Sequence, residues 1–293
     1  PLLVHVVTTK GKGYSPAEDD SISFHGVSPN TTETIRNASF SEVFGQTLLR
    51  IANEDPRVVA ITAAMTEGTG LNFMSKKFPD RVFDVGICEQ HAVTFAAGLA
   101  TQGFIPIVAI YSTFLQRALD QIIHDVCIQK LPVIFAIDRG GIVGEDGKTH
   151  QGIFDLSFLS FVPNMVIAAP RDENELQHLL YTAVRAECPF AIRYPRGRGL
   201  GVPLDKELRE ITIGKWETLR TGNDIAILAT GPSVSHSISA AEKLSKLGIE
   251  CTVVNSRFVK PSDFASICDL ARQHTRFITV EENAITGGFG SAV

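Results

Sequence analysis

The sequence lacks the cysteine and histidine patterns that mark a metal site or a disulfide framework. Its five cysteines lie at positions 88, 127, 188, 251 and 268, and no two of them share a CxxC spacing. An odd number of cysteines without such spacings argues against a disulfide scaffold and favours a reducing compartment. No two histidines have a convincing metal-ligand spacing, so we expect no metal ligands in this chain.

An excess of positive charge is also missing. The chain has 27 basic and 32 acidic residues, a net charge of −5. A mildly acidic balance gives no reason to expect a nucleic-acid partner. Any anionic substrate would therefore need a local cluster of positive charge.

A continuous membrane-spanning run is not present either. Residues 92–116 carry no charge, but Thr101, Gln102, Gly103 and Pro106 interrupt them. A spanning helix needs about 20 apolar residues without such breaks. We expect a buried helix, a turn and a buried strand here, and no membrane partner.

What the sequence does contain is an alternation of short β-branched runs with longer amphipathic stretches. This alternation predicts parallel sheets covered by helices, a three-layer α/β/α fold. We expect strands at 57–62, 81–85, 106–110, 132–137, 165–168, 190–194, 225–229, 251–254 and 276–280. We expect helices at 40–53, 89–101, 113–128, 173–187, 233–247 and 262–274.

A stretch rich in glycine and charge, 197–223, breaks this alternation and indicates a domain boundary. We predict a leading segment at 1–37, a first domain at 38–200, a linker at 201–222 and a second, shortened domain at 223–293. Because the sequence opens in a strand-like run and closes in a glycine-rich one, we expect a piece of a longer protein.

Glu89 is the first candidate for chemistry. It follows the predicted strand 81–85 and opens an apolar helix. Ligands of open α/β sheets bind outside the carboxyl ends of strands, which is where Glu89 would lie. The alternative is a glutamate that merely stabilises a helix N-terminus.

Two arginines and a loop form a second set of candidates. Arg139 and Arg196 each follow a predicted strand and could converge on one crevice, where the planar guanidinium suits phosphate. The loop 140–152 holds five glycines together with Asp146 and His150, and could wrap a small substrate. The alternatives are ordinary surface arginines and a flexible connection.

Other candidates carry less information by themselves. Tyr14 lies in a glycine-rich turn, and Tyr111, Phe114 and Arg117 lie where a predicted strand gives way to a helix. Core packing and a solvated surface are the alternative interpretations of these residues. His25, judged singly, is more typical of a structural residue.

Together these pieces resemble a known family. The segments 83–92, 110–117 and 149–152 are similar to the pyrimidine-binding domain of transketolase-like thiamine diphosphate enzymes. The segments 10–14, 138–141, 194–197 and 280–283 resemble the 1-deoxy-D-xylulose-5-phosphate synthase family in particular. The resemblance runs through essentially the whole chain.

The resemblance implies a pyrimidine-binding domain at 38–200 and a transketolase C-terminal-like domain at 223–293. It implies a transferase that joins pyruvate and D-glyceraldehyde 3-phosphate to 1-deoxy-D-xylulose 5-phosphate and carbon dioxide. The product feeds isoprenoid, thiamine and pyridoxal phosphate biosynthesis. The family uses thiamine diphosphate and Mg²⁺ and forms homodimers, in the cytoplasm or, in plants and algae, in plastids.

The resemblance also implies roles for individual residues. Glu89 would hydrogen-bond the aminopyrimidine ring, Phe114 would stack on it, and Tyr14 would line the cofactor site. Arg139 and Arg196 would hold the aldehyde's phosphate. The reacting carbons would be surrounded by Tyr111, Arg117, Asp146, His150 and His25, with His150 as a proton carrier.

One family feature is absent from the sequence. Thiamine enzymes hold the metal with a Gly-Asp-Gly motif followed by asparagine, and no such motif occurs here. We therefore expect the metal ligands in a preceding domain and little turnover from this chain alone. The alternatives are transketolase, a 2-oxo-acid dehydrogenase beta-type enzyme, or a non-catalytic partner or regulatory domain.

Overall fold

The computed structural model describes residues 1–21, 24 and 37–293. The described residues divide between two units, 1–36 and 37–293. His25 lies outside the described residues, so its role stays a prediction.

The first unit contains one short helix, α1 (Ser15–Asp19), among its described residues. Tyr14 immediately precedes this helix and is more than half exposed. Its ring meets the ring of Phe24 edge to face, with centroids 5.6 Å apart. Tyr14 thus has a supported aromatic ring with an accessible surface, and its cofactor role stays a prediction.

The second unit contains two sheets. Its strands are β1 (Val58–Thr62), β2 (Val82–Asp84), β3 (Ile105–Tyr111), β4 (Ile134–Asp138), β5 (Val166–Ala168), β6 (Phe190–Arg193), β7 (Glu217–Arg220), β8 (Ile225–Ala229), β9 (Cys251–Asn255), β10 (Phe258–Lys260) and β11 (Phe277–Val280). The first sheet has the order β10-β5-β6-β4-β3-β1-β2, and the second has the order β11-β8-β9-β7.

Helices cover both faces of the first sheet. The remaining helices are α2 (Phe40–Glu54), α3 (Asn72–Lys77), α4 (Glu89–Thr101), α5 (Ser112–Leu115), α6 (Leu119–Gln121), α7 (Asp155–Ser160), α8 (Glu173–Arg185), α9 (Ser233–Ser245), α10 (Phe264–Gln273) and α11 (Phe289–Ala292). Helices α2, α3 and α8 pack on one face, and α4, α5 and α7 pack on the other. The predicted three-layer α/β/α class is confirmed.

Strand β4 shows why the strands read as continuous apolar runs. Ile134 and Ala136 face the cluster under α2 and α8, whereas Phe135 and Ile137 face the cluster under α4. Successive side chains of a strand point to opposite faces. When both faces are covered, the interior positions of a strand are apolar, and polar residues are confined to its end.

The second sheet is smaller and is covered by α9. Its edge strand β7 pairs antiparallel with β9. Strand β10, which follows β9, leaves this sheet and pairs antiparallel with β5 at the edge of the first sheet. The two sheets are therefore connected by one continuous β9–β10 segment.

The predicted elements are found with one main exception. Each of the nine predicted strands is present within two residues of its predicted ends. The predicted helix 113–128 is instead a succession of α5, a 3₁₀ turn at Gln116–Ala118, α6 and a π-helix at Ile122–Cys127. An apolar repeat does not distinguish these helix types, whose hydrogen-bond spacings differ by only one or two residues.

Strands β7 and β10 were not expected. Both are short, and β7 falls within the segment 201–222 that was predicted as a linker. Three of its four residues are polar and none is buried, so no apolar pattern marks it. Among the described residues, no helix is long and apolar enough to cross a membrane.

We predict that Leu48→Ala lowers the free energy of unfolding by about 2–5 kcal/mol, because the leucine in α2 is fully buried and its loss leaves a cavity. Leu247→Ala is the matched control, since this leucine is 77% exposed; it should change stability by less than about 0.5 kcal/mol. Urea unfolding followed by circular dichroism measures both. Equal effects would contradict the assigned core.

Candidate active site

The predicted site residues gather where β3, β4 and β6 end. These strands are parallel neighbours, and Tyr111, the last residue of β3, is in register with Asp138, the last residue of β4. Arg139 follows β4, and Arg196 lies shortly after β6. Parallel pairing thus delivers side chains from distant parts of the chain to one edge of the sheet.

The two predicted arginines meet on one carboxylate. Arg139 Nη1 donates to Asp146 Oδ2, and Arg196 Nη1 lies 3.3 Å from Asp146 Oδ1. All three side chains are at least two-thirds buried. We call Arg139, Asp146 and Arg196 the arginine cluster. With two guanidiniums and one carboxylate, it carries one net positive charge.

Arg139 is oriented by its surroundings. Its backbone has a φ of +59°, in the left-handed region that non-glycine residues seldom adopt. Its guanidinium carbon lies 3.8 Å from the centroid of the Tyr111 ring, a cation–π geometry. The arginine is thus held between an aromatic ring and a carboxylate.

Tyr111 is set in place by a glycine that sequence reasoning missed. A Cβ atom on Gly68 would stand 1.7 Å from the Tyr111 hydroxyl, so only glycine leaves room for this ring. Burial raises the pKa of the Tyr111 phenol. Gly68 lies in a glycine-containing turn after β1, and its place behind a strand end was the available signal.

Glu89 opens α4 and is only 2% exposed. Its Oε1 accepts a 2.6 Å hydrogen bond from Arg117 Nη1, while the Arg117 side chain remains about half exposed. The guanidinium carbon of Arg117 lies 5.0 Å from the centroid of Phe114. A buried carboxylate is tolerated here because it is paired with a cation.

Glu89 and its partner Arg117 are called the Glu89 pair. Aromatic contacts link this pair to the arginine cluster. The rings of Phe114 and Tyr111 are 6.0 Å apart, and the rings of Phe114 and His150 are 5.4 Å apart. His150 Nδ1 lies 3.0 Å from the hydroxyl of Thr149. Of the ten predicted residues, eight therefore form one connected set, while Tyr14 and His25 belong to 1–36.

A buried carboxylic acid beneath the site was also missed. Asp138 is fully buried, and its Oδ2 accepts a 2.6 Å hydrogen bond from the Ser41 hydroxyl at the start of α2. Burial raises its pKa from 3.8 to about 7, against the hydrogen bond and the nearby Arg139 charge. An acidic residue at the end of an apolar strand was the signal in the sequence.

The residues of this site lie in a known class of domain. Residues 36–199 match the family described as "Transketolase, pyrimidine binding domain", and residues 214–293 match "Transketolase, C-terminal domain". The first match covers more than half of the chain. The chain therefore belongs to the transketolase family.

Curated relatives are more specific. The 1-deoxy-D-xylulose-5-phosphate synthases of Dehalococcoides mccartyi and Desulforudis audaxviator are 60% and 61% identical over 100% of the chain, and the chain covers 47% of each. The resemblance inferred from the motifs is confirmed. The chain spans about half the length of the curated relatives it matches.

Solved structures agree on the fold. A protein described as "Split gene transketolase, inactive beta4 tetramer" is 32% identical with a TM-score of 0.77, over 87% of this chain and 84% of that one. A Pichia stipitis transketolase mutant in complex with fructose 6-phosphate is 20% identical with a TM-score of 0.71, over 87% of this chain and 40% of that one. At 20% identity the likeness concerns the fold alone.

We predict that the raised pKa of Asp138 makes the chain less stable as pH rises from about 4 to 7. In this window the folded state keeps a proton that the unfolded state has lost, so folding is favoured at the acid end. The contribution changes by up to about 1.4 kcal/mol per pH unit.

Asp138→Asn keeps an acceptor for Ser41 and removes the titration. Urea unfolding at pH 5, 6 and 7 should show the stability difference between variant and parent growing in the variant's favour as pH rises. Parallel curves for the two chains would contradict the raised pKa.

Proposed function

We propose that the full-length protein containing this chain condenses pyruvate with D-glyceraldehyde 3-phosphate, with loss of carbon dioxide, to form 1-deoxy-D-xylulose 5-phosphate. The observation that carries this proposal is the arginine cluster, which lies one aromatic contact away from the Glu89 pair. The names of relatives about 60% identical over the whole chain support the same activity. The product would enter isoprenoid, thiamine and pyridoxal phosphate biosynthesis.

Thiamine diphosphate fits part of this site. Glu89 offers a buried carboxylate for a ring nitrogen, and Phe114 offers a ring face beside it. When bound, the cofactor supplies the carbanion chemistry of the reaction. No group of three or more His, Cys, Asp or Glu side chains suited to a metal ion occurs among the described residues. The Mg²⁺ and diphosphate would be held by residues outside this set.

The arginine cluster would bind the phosphate of the aldehyde. Guanidinium groups bind phosphate through paired, charge-assisted hydrogen bonds. The Asp146 carboxylate, paired with both guanidiniums, offsets part of their mutual repulsion, and the cluster keeps a net positive charge. The phosphate would then place the aldehyde carbon toward Tyr111, Phe114 and His150.

His150 would carry a proton at the reacting carbons. An imidazole can gain or lose a proton near neutral pH, and this one is held beside Phe114 and Thr149. Arg117 would keep the Glu89 carboxylate correctly oriented through their hydrogen bond. The roles of Tyr14 and His25 stay predictions from the resemblance.

Assembly and location are proposed on fewer observations. Ile87, two residues before the buried Glu89, is 75% exposed, which supports a homodimer that covers this edge. The five cysteines are all free thiols, which supports a reducing compartment such as the cytoplasm. The split-gene transketolase structure, which the chain matches over 84% of that structure's length, is described as an inactive tetramer. This description supports the expectation that the present chain alone does not turn over.

We predict that Arg139→Ala and Arg196→Ala in the full-length protein raise the KM for D-glyceraldehyde 3-phosphate roughly 10- to 100-fold, since each removes a charge-assisted hydrogen bond. The KM for pyruvate should change far less. Steady-state kinetics with each substrate varied in turn measures both. Arg209→Ala is the control, because Arg209 is an exposed arginine paired with Asp205. Equal effects on both substrates would exclude the phosphate role and favour another thiamine enzyme.

We predict that Glu89→Gln abolishes exchange of the cofactor's thiazolium proton, measured by NMR in the full-length protein, because the amide cannot share a proton as the carboxylate does. Glu242→Gln, an exposed change on α9, should leave exchange intact. Normal exchange in the Glu89 variant would refute its role. A wild-type protein that neither binds the cofactor nor exchanges this proton would favour a partner or regulatory domain instead.

A further inference from the structure

The glycine-rich loop, residues 140–152, is closed at its base by two backbone hydrogen bonds. Gly141 N donates to Gly152 O at 2.7 Å, and Gly152 N donates to Gly141 O at 2.8 Å. Because the ends are pinned together, the positions of Asp146 and His150 depend on how this base is held. A residue that anchors this base therefore also determines where Asp146 is placed in the arginine cluster.

Arg193 lies directly under that base. It is the last residue of β6 and is only 2% exposed. A Cβ atom on Gly140 would meet the Arg193 side chain at 2.4–2.7 Å, so the arginine stem packs against the glycine backbone at the start of the loop. Arg193 Nη2 donates to Gly152 O at 3.3 Å at its end.

Two further partners fix the Arg193 guanidinium. Its Nε donates at 3.1 Å to Asp155 Oδ2, a carboxylate with no exposed surface at the start of α7. Its Nη2 also donates to the backbone carbonyl of Glu282, which follows β11 of the second sheet. The planar guanidinium thus joins strand β6, the loop end, α7 and the segment after β11.

The same segment touches the loop in other places. The Glu282 side chain lies over Gly141, since a Cβ there would stand 2.5 Å from Glu282 Oε2. Ala284 N donates to Ile153 O at 2.7 Å, and Ser157 Oγ donates to Thr286 O at 2.7 Å. The segment after β11 therefore contacts the base of the loop and the residues that follow it, up to α7, at several points.

We propose that Arg193 is a positioning residue for phosphate recognition, which ties both ends of the glycine-rich loop to β6 and to the segment after β11. This proposal rests on the proposed function, since it assigns the loop's arginine cluster to the phosphate of the aldehyde. Arg193 is three residues from Arg196 on the same chain segment. One buried side chain thus fixes Asp146 through the loop and Arg196 through the strand.

The test compares two acceptors in the full-length protein, D-glyceraldehyde 3-phosphate and D-glyceraldehyde, which differ only in the phosphate. Arg193→Lys keeps the charge but loses the planar fork. We expect its kcat/KM to fall about tenfold or more with the phosphorylated acceptor and less than about threefold with D-glyceraldehyde. Equal losses with both acceptors, or no loss, would overturn the proposal.

Asp155→Asn is the second variant, and it carries the test if Arg193→Lys does not fold. It keeps the volume of the side chain and weakens the anchor of the guanidinium, so the same selective loss is expected. The double variant should lose little more than either single one, because both act through one interaction. Additive or unselective losses would count against the proposal.

Arg257→Lys is the matched control. Arg257 is also a largely buried, ion-paired arginine, but its carboxylate partners are Glu175 and Glu217 rather than residues of the loop. It should change kcat/KM for the two acceptors by the same factor. A selective loss in this control would overturn the assignment to Arg193. If the wild-type protein does not prefer the phosphorylated acceptor, the proposed function itself fails.

Discussion

The parallel pairing of β3, β4 and β6 is the constraint on which the site depends. Their register places Tyr111 beside Asp138, and the residues that follow each strand emerge at the same edge. The strands can lie this way only because helices bury both of their faces. The apolar core and the polar site are thus two results of one arrangement, since the core fixes the strand ends from which the site is built.

The charged residues of this site form two groups of different character, a pair and a cluster of three. Glu89 is buried and held by one half-exposed arginine, so the pair is neutral. The arginine cluster has two cations on one carboxylate and remains positive. Tyr111 and Phe114 separate the two and provide the apolar surface between them. An anionic group is therefore favoured at the arginine cluster and not at the Glu89 pair.

The sequence predicted nine of the eleven strands found among the described residues, the long helices and eight residues that come together, because alternation and strand-end position follow directly from burial. It did not predict the mixed helix types around Phe114 and Arg117, because the same apolar repeat is compatible with helices whose hydrogen-bond spacings differ by only one or two residues. It also missed Gly68 and Asp138. Gly68 matters because it leaves room for the Tyr111 hydroxyl, and Asp138 because it accepts a hydrogen bond from Ser41 at the start of α2. Both lie at or after strand ends, but the sequence does not show which distant residue each one contacts.

Two of the contacts between the second sheet and the rest of the fold have different consequences. One is the buried network in which Asn255 Nδ2 donates to Glu175, beside Arg257, near the start of α8. The other is the segment after β11, which reaches Arg193 and the base of the glycine-rich loop. The first joins two scaffolds and contacts no residue of the arginine cluster. Movement of the second sheet can therefore reach the base of the glycine-rich loop through the second contact, to which Arg193, Glu282 and Ala284 all contribute.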